Sequence, residues 1–293
     1  MAVATPTAKG RVSRSRLAQL KQTLLYLLWL LVCLTISVVF LGPVLWMFFT
    51  AFKPLAEIRT WPPQLLPVNW TVENFTRAWT AMPWPRMFFN SVFLATTITV
   101  GHLFVSSLAA FAFALLRVPF KHILFMLVLA TMIVPEQVDL IPRFLMMTRW
   151  GLVNTYVPVI LLALVSGFAI FLYRQFIQSL PSELFDAARV DGAGFFRIYW
   201  SIVMPLAWPA TATLFIFTFL GHWNAFLYPL IYLQDPRLHT VQLGLAFFSY
   251  TQAGIPIGPL MAASVFVALP PIIVYLLFQR YFMQGVIMSG VKG

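Results

Sequence analysis

The sequence is poor in the groups that carry out chemistry. Cys33 is its single cysteine, which excludes an intramolecular disulfide and a cysteine-built metal cluster. Only 9% of the residues are charged, and of these only eight are acidic. No Gly-x-x-x-x-Gly-Lys-Ser/Thr phosphate loop, His-Glu-x-x-His or Gly-x-Ser-x-Gly occurs, and no spaced pair of histidines or carboxylates suggests metal catalysis. The chain therefore reads as no enzyme, with no metal and no cofactor of its own.

What it has in excess is apolar surface. Hydrophobic residues make up 61% of the chain, the range of polytopic membrane proteins rather than soluble domains. The formal charge of +11 does not point to nucleic acid, because the basic residues are scattered between apolar runs. A bilayer core of roughly 30 Å takes about 20 apolar helical residues. Six runs meet or approach that length: 24–50, 87–115, 122–142, 154–177, 208–232 and 259–282. The expected fold is all-α, a membrane protein of six transmembrane helices over 24–283, with a basic tail at 1–23 and a C-terminal tail at 284–293. Although Lys9, Arg11, Arg14, Arg16 and Lys21 precede the first run, it exceeds the roughly 7 to 15 residues of a signal core and reads as a retained helix.

Lys and Arg set the orientation. With the N-terminus inside, twelve of the nineteen basic residues fall in cytoplasmic segments, among them Arg117, Lys121, Arg174, Arg189 and Arg197. Both termini are then cytoplasmic. The outer loop 52–86 is rich in Pro and Trp, which suits irregular backbone with aromatic residues at the interface. A second outer loop, 233–258, ends in Gly254-Ile-Pro-Ile-Gly258; the spacing matches a helix-dimer motif, but Pro256 lies inside it.

The polar island at 181–205 faces the cytoplasm and holds three of the eight acids: Glu183, Asp186 and Asp191. Pro181 suits a helix start, and Glu183 and Asp186 lie near the positive end of the helix dipole. Leu184, Ala187 and Ala188 form a narrow apolar stripe beside them. Gly192 supplies a turn, and a more apolar helix along the membrane face follows as far as Pro205. A helix of about two turns frays alone, so its order comes from packing. Two readings stand: an interfacial helix tying neighbouring spans together, or a peg for a partner with cationic residues. The acids favour the second, since interfacial helices carry Lys and Arg on the polar face.

Asp186-Ala187-Ala188, then Asp191-Gly192-Ala193, then Pro205 resemble the cytoplasmic loop signature of ABC importer permeases, with Asp186 where that family usually has Glu. The likeness extends over almost the whole chain to the maltose-type carbohydrate-uptake subfamily. It includes Phe52-Lys-Pro, Asn90-Ser91, Ser107-Leu-Ala-Ala, Pro135-Glu-Gln, Ile141-Pro, Gly151-Leu-Val-Asn-Thr155, Trp223-Asn224 and Gly290-Val-Lys-Gly293. Length and tail resemble the second, smaller permease subunit. The resemblance implies a bacterial or archaeal plasma-membrane importer of a sugar or related solute, glycerol phosphates included. Its implied partners are a homologous second permease, membrane lipid, an extracytoplasmic solute-binding protein and a cytoplasmic ATPase dimer that holds ATP and Mg. It also implies that Glu183, Leu184, Asp186, Ala187, Ala188, Asp191, Gly192 and Ala193 seat in a cleft of that ATPase.

Solute contacts need polar and aromatic groups facing an internal cavity. Asn224 beside Trp223, with Tyr228 a turn later, can offer an amide to hydroxyls and aromatic faces to a ring; the same aromatics also suit interfacial anchors. Glu136, Gln137 and Asp139, near Pro135 and Pro142, line an outer vestibule or lie in water at a helix end. His102 and His222 fall near mid-span. They make either a proton relay, as in a proton-coupled secondary transporter, or neutral hydrogen bonds between helices, the latter favoured because no intramembrane acid shares their depth.

Overall fold

The computed structural model describes residues 9–117, 119–251 and 257–290, and among these every regular element is helical. The first are α1 (Lys9–Ala51), α2 (Leu55–Ile58), α3 (Glu73–Ala81), α4 (Trp84–Leu115), α5 (Lys121–Ala130), α6 (Leu140–Arg149), α7 (Val157–Leu161) and α8 (Gly167–Ser179). The polar island follows as α9 (Ser182–Val190), α10 (Phe195–Ile198), a π-helical segment (Tyr199–Val203) and α11 (Met204–Leu206). The chain closes with α12 (Trp208–Trp223), α13 (Leu227–Tyr232), a 3-10 turn (Pro236–Leu238), α14 (Val241–Thr251) and α15 (Ile257–Gly290).

Among the described residues three stretches are long and apolar enough to cross a membrane unbroken: Lys21–Ala51, Trp84–Leu115 and Ile257–Gln279. The other expected spans are interrupted. Residues 131–139 separate α5 from α6, 162–166 separate α7 from α8, and 224–226 separate α12 from α13. Length and composition do not register such breaks, because the intervening residues stay largely apolar. The local chemistry does: Pro135 has no N–H to give, the Ser166 hydroxyl accepts from the Ala169 N–H as the N-cap of α8, and Asn224 caps α12. Residues 9–23, expected as a tail, continue α1, and α15 runs past 283 to Gly290.

The chain divides into two compact units, one within 1–74 and 256–262 and the other within 75–255 and 263–293. In the first, α1 exposes apolar side chains on all sides, Trp29 and Phe40 among them, as suits a helix whose neighbour is lipid. Its C-terminal end is held by the buried Asn74, whose amide donates to the carbonyls of Ala51 at 3.0 Å and Lys53 at 2.7 Å. Gly258 fits closely here: a Cβ would come within 2.6 Å of Asn74 Oδ1. The other glycine of the dimer-like spacing, Gly254, lies outside the described residues. Lys53 is buried, lies 4.7 Å from the Trp46 ring centre and donates to the carbonyl of Gln64. Burial lowers the Lys53 pKa, with the Glu57 charge opposing. Desolvation would raise the Glu57 pKa, but N–H donors from Val68 and Asn69, the Asn69 amide and the Lys53 charge outweigh it and bring it below the ordinary value.

In the second unit α8 and α12 pack along α4, and the shared core includes Leu103, Ala110, Phe111, Ala169, Tyr173, Ile177 and Leu214. Polar residues stitch it. The Tyr173 hydroxyl donates to Thr211 at 3.0 Å, and the Asn90 amide donates to the carbonyls of Arg237 and His239, both at 2.9 Å. The Val241 N–H at the start of α14 finds Ser91 Oγ at 2.8 Å.

Candidate functional site

The island folds as a short peg with a buried root. In α9, Phe185 and Ala188 are buried in the same core as Phe111, Tyr173, Ile177 and Tyr199, while Leu184 and Ala187 are exposed. The apolar stripe expected from Leu184, Ala187 and Ala188 is thus shifted by one residue. Phe185 anchors the helix because its ring removes more apolar area from water than any other side chain of α9, an effect of about 1.5–3 kcal/mol. Glu183, Asp186 and Asp191 are exposed, and the Arg189 guanidinium reaches Asp186 at 2.9 Å within the same helix.

The end of the peg explains the Asp-Gly-Ala sequence. Gly192 has φ +77°, and its N–H donates to the Arg189 carbonyl at 3.0 Å, while the Ala193 N–H donates to the Ala188 carbonyl at 2.9 Å. This pair of bonds is the Schellman closure, which needs a left-handed residue where Gly192 stands. Gly151, at φ +67°, ends α6 through the same pair, with its own N–H to Thr148 and that of Leu152 to Met147. Beyond Gly192, the chain runs through α10, the π segment and α11, then bends by 75° into α12 at Ala207. Pro209 is tolerated there because it lies in the first turn of α12. Phe195, Phe196 and Trp200 are exposed on this segment, while Ile198, Tyr199 and Val203 are buried.

A second feature forms where the helices break. A cavity of about 200 Å³ is lined by His102, Glu136, Arg143, Ser166, His222 and Tyr228, with Val159, Leu162, Ala163, Val165 and Ala225. A neighbouring space of about 380 Å³ shares His102, Glu136, Ser166, His222, Ala225 and Tyr228 with it. All three interruptions, 131–139, 162–166 and 224–226, therefore contribute to one cavity. Irregular backbone of this kind suits a place where it lines a water-accessible space or is covered by protein. The His102 Nδ1–H donates to the Ala163 carbonyl at 2.9 Å, a bond from α4 to the interruption between α7 and α8. The expectation that no acid shares the depth of the histidines does not hold, since Glu136 lines the same cavity.

The solute-contact candidates separate here. Tyr228 and Glu136 line the cavity, the tyrosine hydroxyl pointing to Glu136 Oε2 across a long 3.5 Å. Trp223 does not: it is buried at 1% exposure, stacked on Phe219, and its indole N–H donates to the Val267 carbonyl at 3.3 Å. With its faces covered it has none free for a ring. Asn224 is exposed but engaged, donating to the Leu220 carbonyl and accepting from the Gln242 amide, both at 2.9 Å. Neither Asn224 nor Gln137 is among the described residues lining the cavity. Sequence reading missed Ser166 and Arg143; an N-capping serine between two apolar runs was the available signal for the first. Among the described residues no group of three or more His, Cys, Asp or Glu is placed to hold a metal ion.

Comparison with known proteins follows the same outline. Residues 102–288 match the family described as binding-protein-dependent transport system inner membrane component. The arabinooligosaccharides transport system permease protein AraQ of Halalkalibacterium halodurans is 36% identical over 255 residues, covering 86% of this chain and 91% of the relative. The sn-glycerol-3-phosphate transport system permease protein UgpE of Yersinia enterocolitica is 35% identical over 235 residues, covering 78% and 84%. A chain of the crystal structure of a bacterial ABC transporter involved in import of the acidic polysaccharide alginate superimposes with a TM-score of 0.77 at 22% identity, over 96% of this chain and all of that one. At that identity the superposition establishes the fold. Sequence family and fold agree, and the chain belongs to the inner-membrane permease components of binding-protein-dependent ABC import systems.

Proposed function

We propose that this permease carries a sugar or related polyhydroxylated solute into the cell and is driven by a separate ATPase dimer through α9. The observation that carries the reading is a two-sided helix. Phe185 and Ala188 root α9 in the transmembrane core, while Glu183, Asp186 and Asp191 stand exposed on it. A root of this kind transmits displacement of the peg to α4 and α8, and the exposed carboxylates suit a cleft lined with cations. The sequence has no phosphate loop, so ATP and Mg belong to the partner.

In this reading the three interrupted runs each cross the membrane as broken spans, giving six crossings with both termini cytoplasmic. The excess of Lys and Arg in the segments so placed inside supports it. A second homologous permease faces the cavity to complete the path, and an extracytoplasmic binding protein delivers the solute. Both named relatives serve hydroxyl-rich solutes, one an oligosaccharide and one a glycerol phosphate. The family places the chain with ATP-driven importers rather than proton-coupled secondary transporters.

Co-purification in mild detergent tests the coupling role. The ATPase is expected to stay bound to the wild-type chain and to be lost from Asp186→Lys. The Asp186–Arg189 pair is exposed, and such pairs contribute about 0.3–0.5 kcal/mol, so the substitution leaves the helix standing. An undiminished complex would show that this carboxylate is not at the docking surface.

A further inference from the structure

We propose that the cavity between the broken helices selects by charge, admitting uncharged polyhydroxylated solutes and rejecting phosphate-bearing ones, with Glu136 setting the preference. This rests on the reading of that cavity as part of the solute path.

The charges are few enough to count. Among the described residues lining the cavity, Arg143 is the one fixed cation. It is held by Asp139 at 2.5 Å, and the other oxygen of Asp139 is buried with no hydrogen-bond partner among the described residues. The guanidinium already faces more acceptor than it satisfies. Glu136 adds a second carboxylate, whose hydrogen-bond contact is the long one from Tyr228. Asp139 is not among the lining residues but neutralises Arg143 from behind, and no second fixed cation of the described lining offsets Glu136, which leaves the wall negative and rich in acceptors.

A sugar matches that surplus. Its hydroxyls can donate hydrogen bonds to a carboxylate oxygen and accept them from Ser166, Tyr228 or an imidazole N–H. A phosphate monoester offers its oxygens as acceptors and carries between one and two negative charges near neutral pH. Like charges about 6 Å apart at an effective dielectric of about 20 repel strongly enough to reduce occupancy at least about tenfold. Arg143 does not offset this while Asp139 holds it.

The test uses the full complex of this chain with its partner permease and ATPase, in lipid nanodiscs and without the binding protein, so that the cavity alone discriminates. Saturation-transfer difference NMR is recorded on an equimolar mixture of maltotriose and glycerol 3-phosphate. The wild type is expected to saturate maltotriose at least about tenfold more than the phosphate. Glu136→Gln should narrow that ratio and Glu136→Lys reverse it. Comparable saturation of both probes in the wild type, no saturation of either, or a ratio unmoved by both substitutions overturns the proposal. ATP hydrolysis stimulated by the binding protein is measured on the same preparations. Intact stimulation with a flat ratio removes the charge selection and leaves the transport reading standing, whereas a chain that retains no ATPase sinks both.

Discussion

The hydroxyls of Tyr199 and Ser107 meet at 2.7 Å, joining the π segment that follows the peg to the C-terminal half of α4. Ser107 also donates to the Phe104 carbonyl at 3.0 Å, which makes Tyr199 the donor of the pair. The two deletions are therefore unequal. Tyr199→Phe removes one hydrogen bond and should cost about 1 kcal/mol, whereas Ser107→Ala leaves a buried hydroxyl unpaired and should cost about 1–3 kcal/mol. Thermal unfolding in detergent should rank Ser107→Ala as the less stable; the opposite order would reject this assignment of donor and acceptor.

Gly192 is a cleaner case, because a Cβ there meets nothing within 4 Å and the only obstacle is φ +77°. Ala or Val should cost about 1–2 kcal/mol through the backbone alone, and Asn, which tolerates the left-handed region, should cost less. With α9 closed less firmly, the ATP hydrolysed per solute imported should rise from Gly to Asn to Ala and Val. A Gly192→Val permease with unchanged coupling would remove the left-handed closure from the account of coupling.

Root and tip of the peg can be told apart by paired truncations. Phe185→Ala empties a buried site and should destabilise by about 3–5 kcal/mol. Leu184→Ala, on the exposed side, should change stability by no more than about 0.5 kcal/mol. If α9 docks by its exposed side, Leu184→Ala still lowers ATPase retention while the unfolding curve stays in place. Equal loss of stability from both would mean that Leu184 is also part of the root.

The peg was largely legible in the sequence because its signals are local. Pro181, the acids of the first turns and Gly192 each act within a few residues of where they stand. The choice between Leu184 and Phe185 as the anchor was not legible, since residues one step apart share the same helical spacing. Only the position of the α4 and α8 core decides which of them faces inward. The broken runs were hidden for a different reason: Ala163, Leu164 and Val165 look helical and apolar, yet they lie in an interruption opened by the Ser166 cap. Asn90 and Ser91 were noticed only as a family likeness. Their bonds run to residues about 150 positions later, at Arg237, His239 and Val241, a separation that no local pattern encodes.

If the cavity lies on the solute path, as proposed above, the convergence of three helix interruptions also bears on how tightly a solute is held. In each interruption some peptide N–H groups close short turns, as those of Ile133, Ala163 and Ala225 do, and the groups left without a helical partner turn to side chains such as His102 or to water. A solute that enters then exchanges hydrogen bonds with water for hydrogen bonds with the wall, nearly one for one, and gains little net free energy. Weak retention is what a conduit needs, since a passenger bound firmly at the midpoint would have to be pulled out again on every cycle. The kinks that make these helices poor spans make them a smooth road.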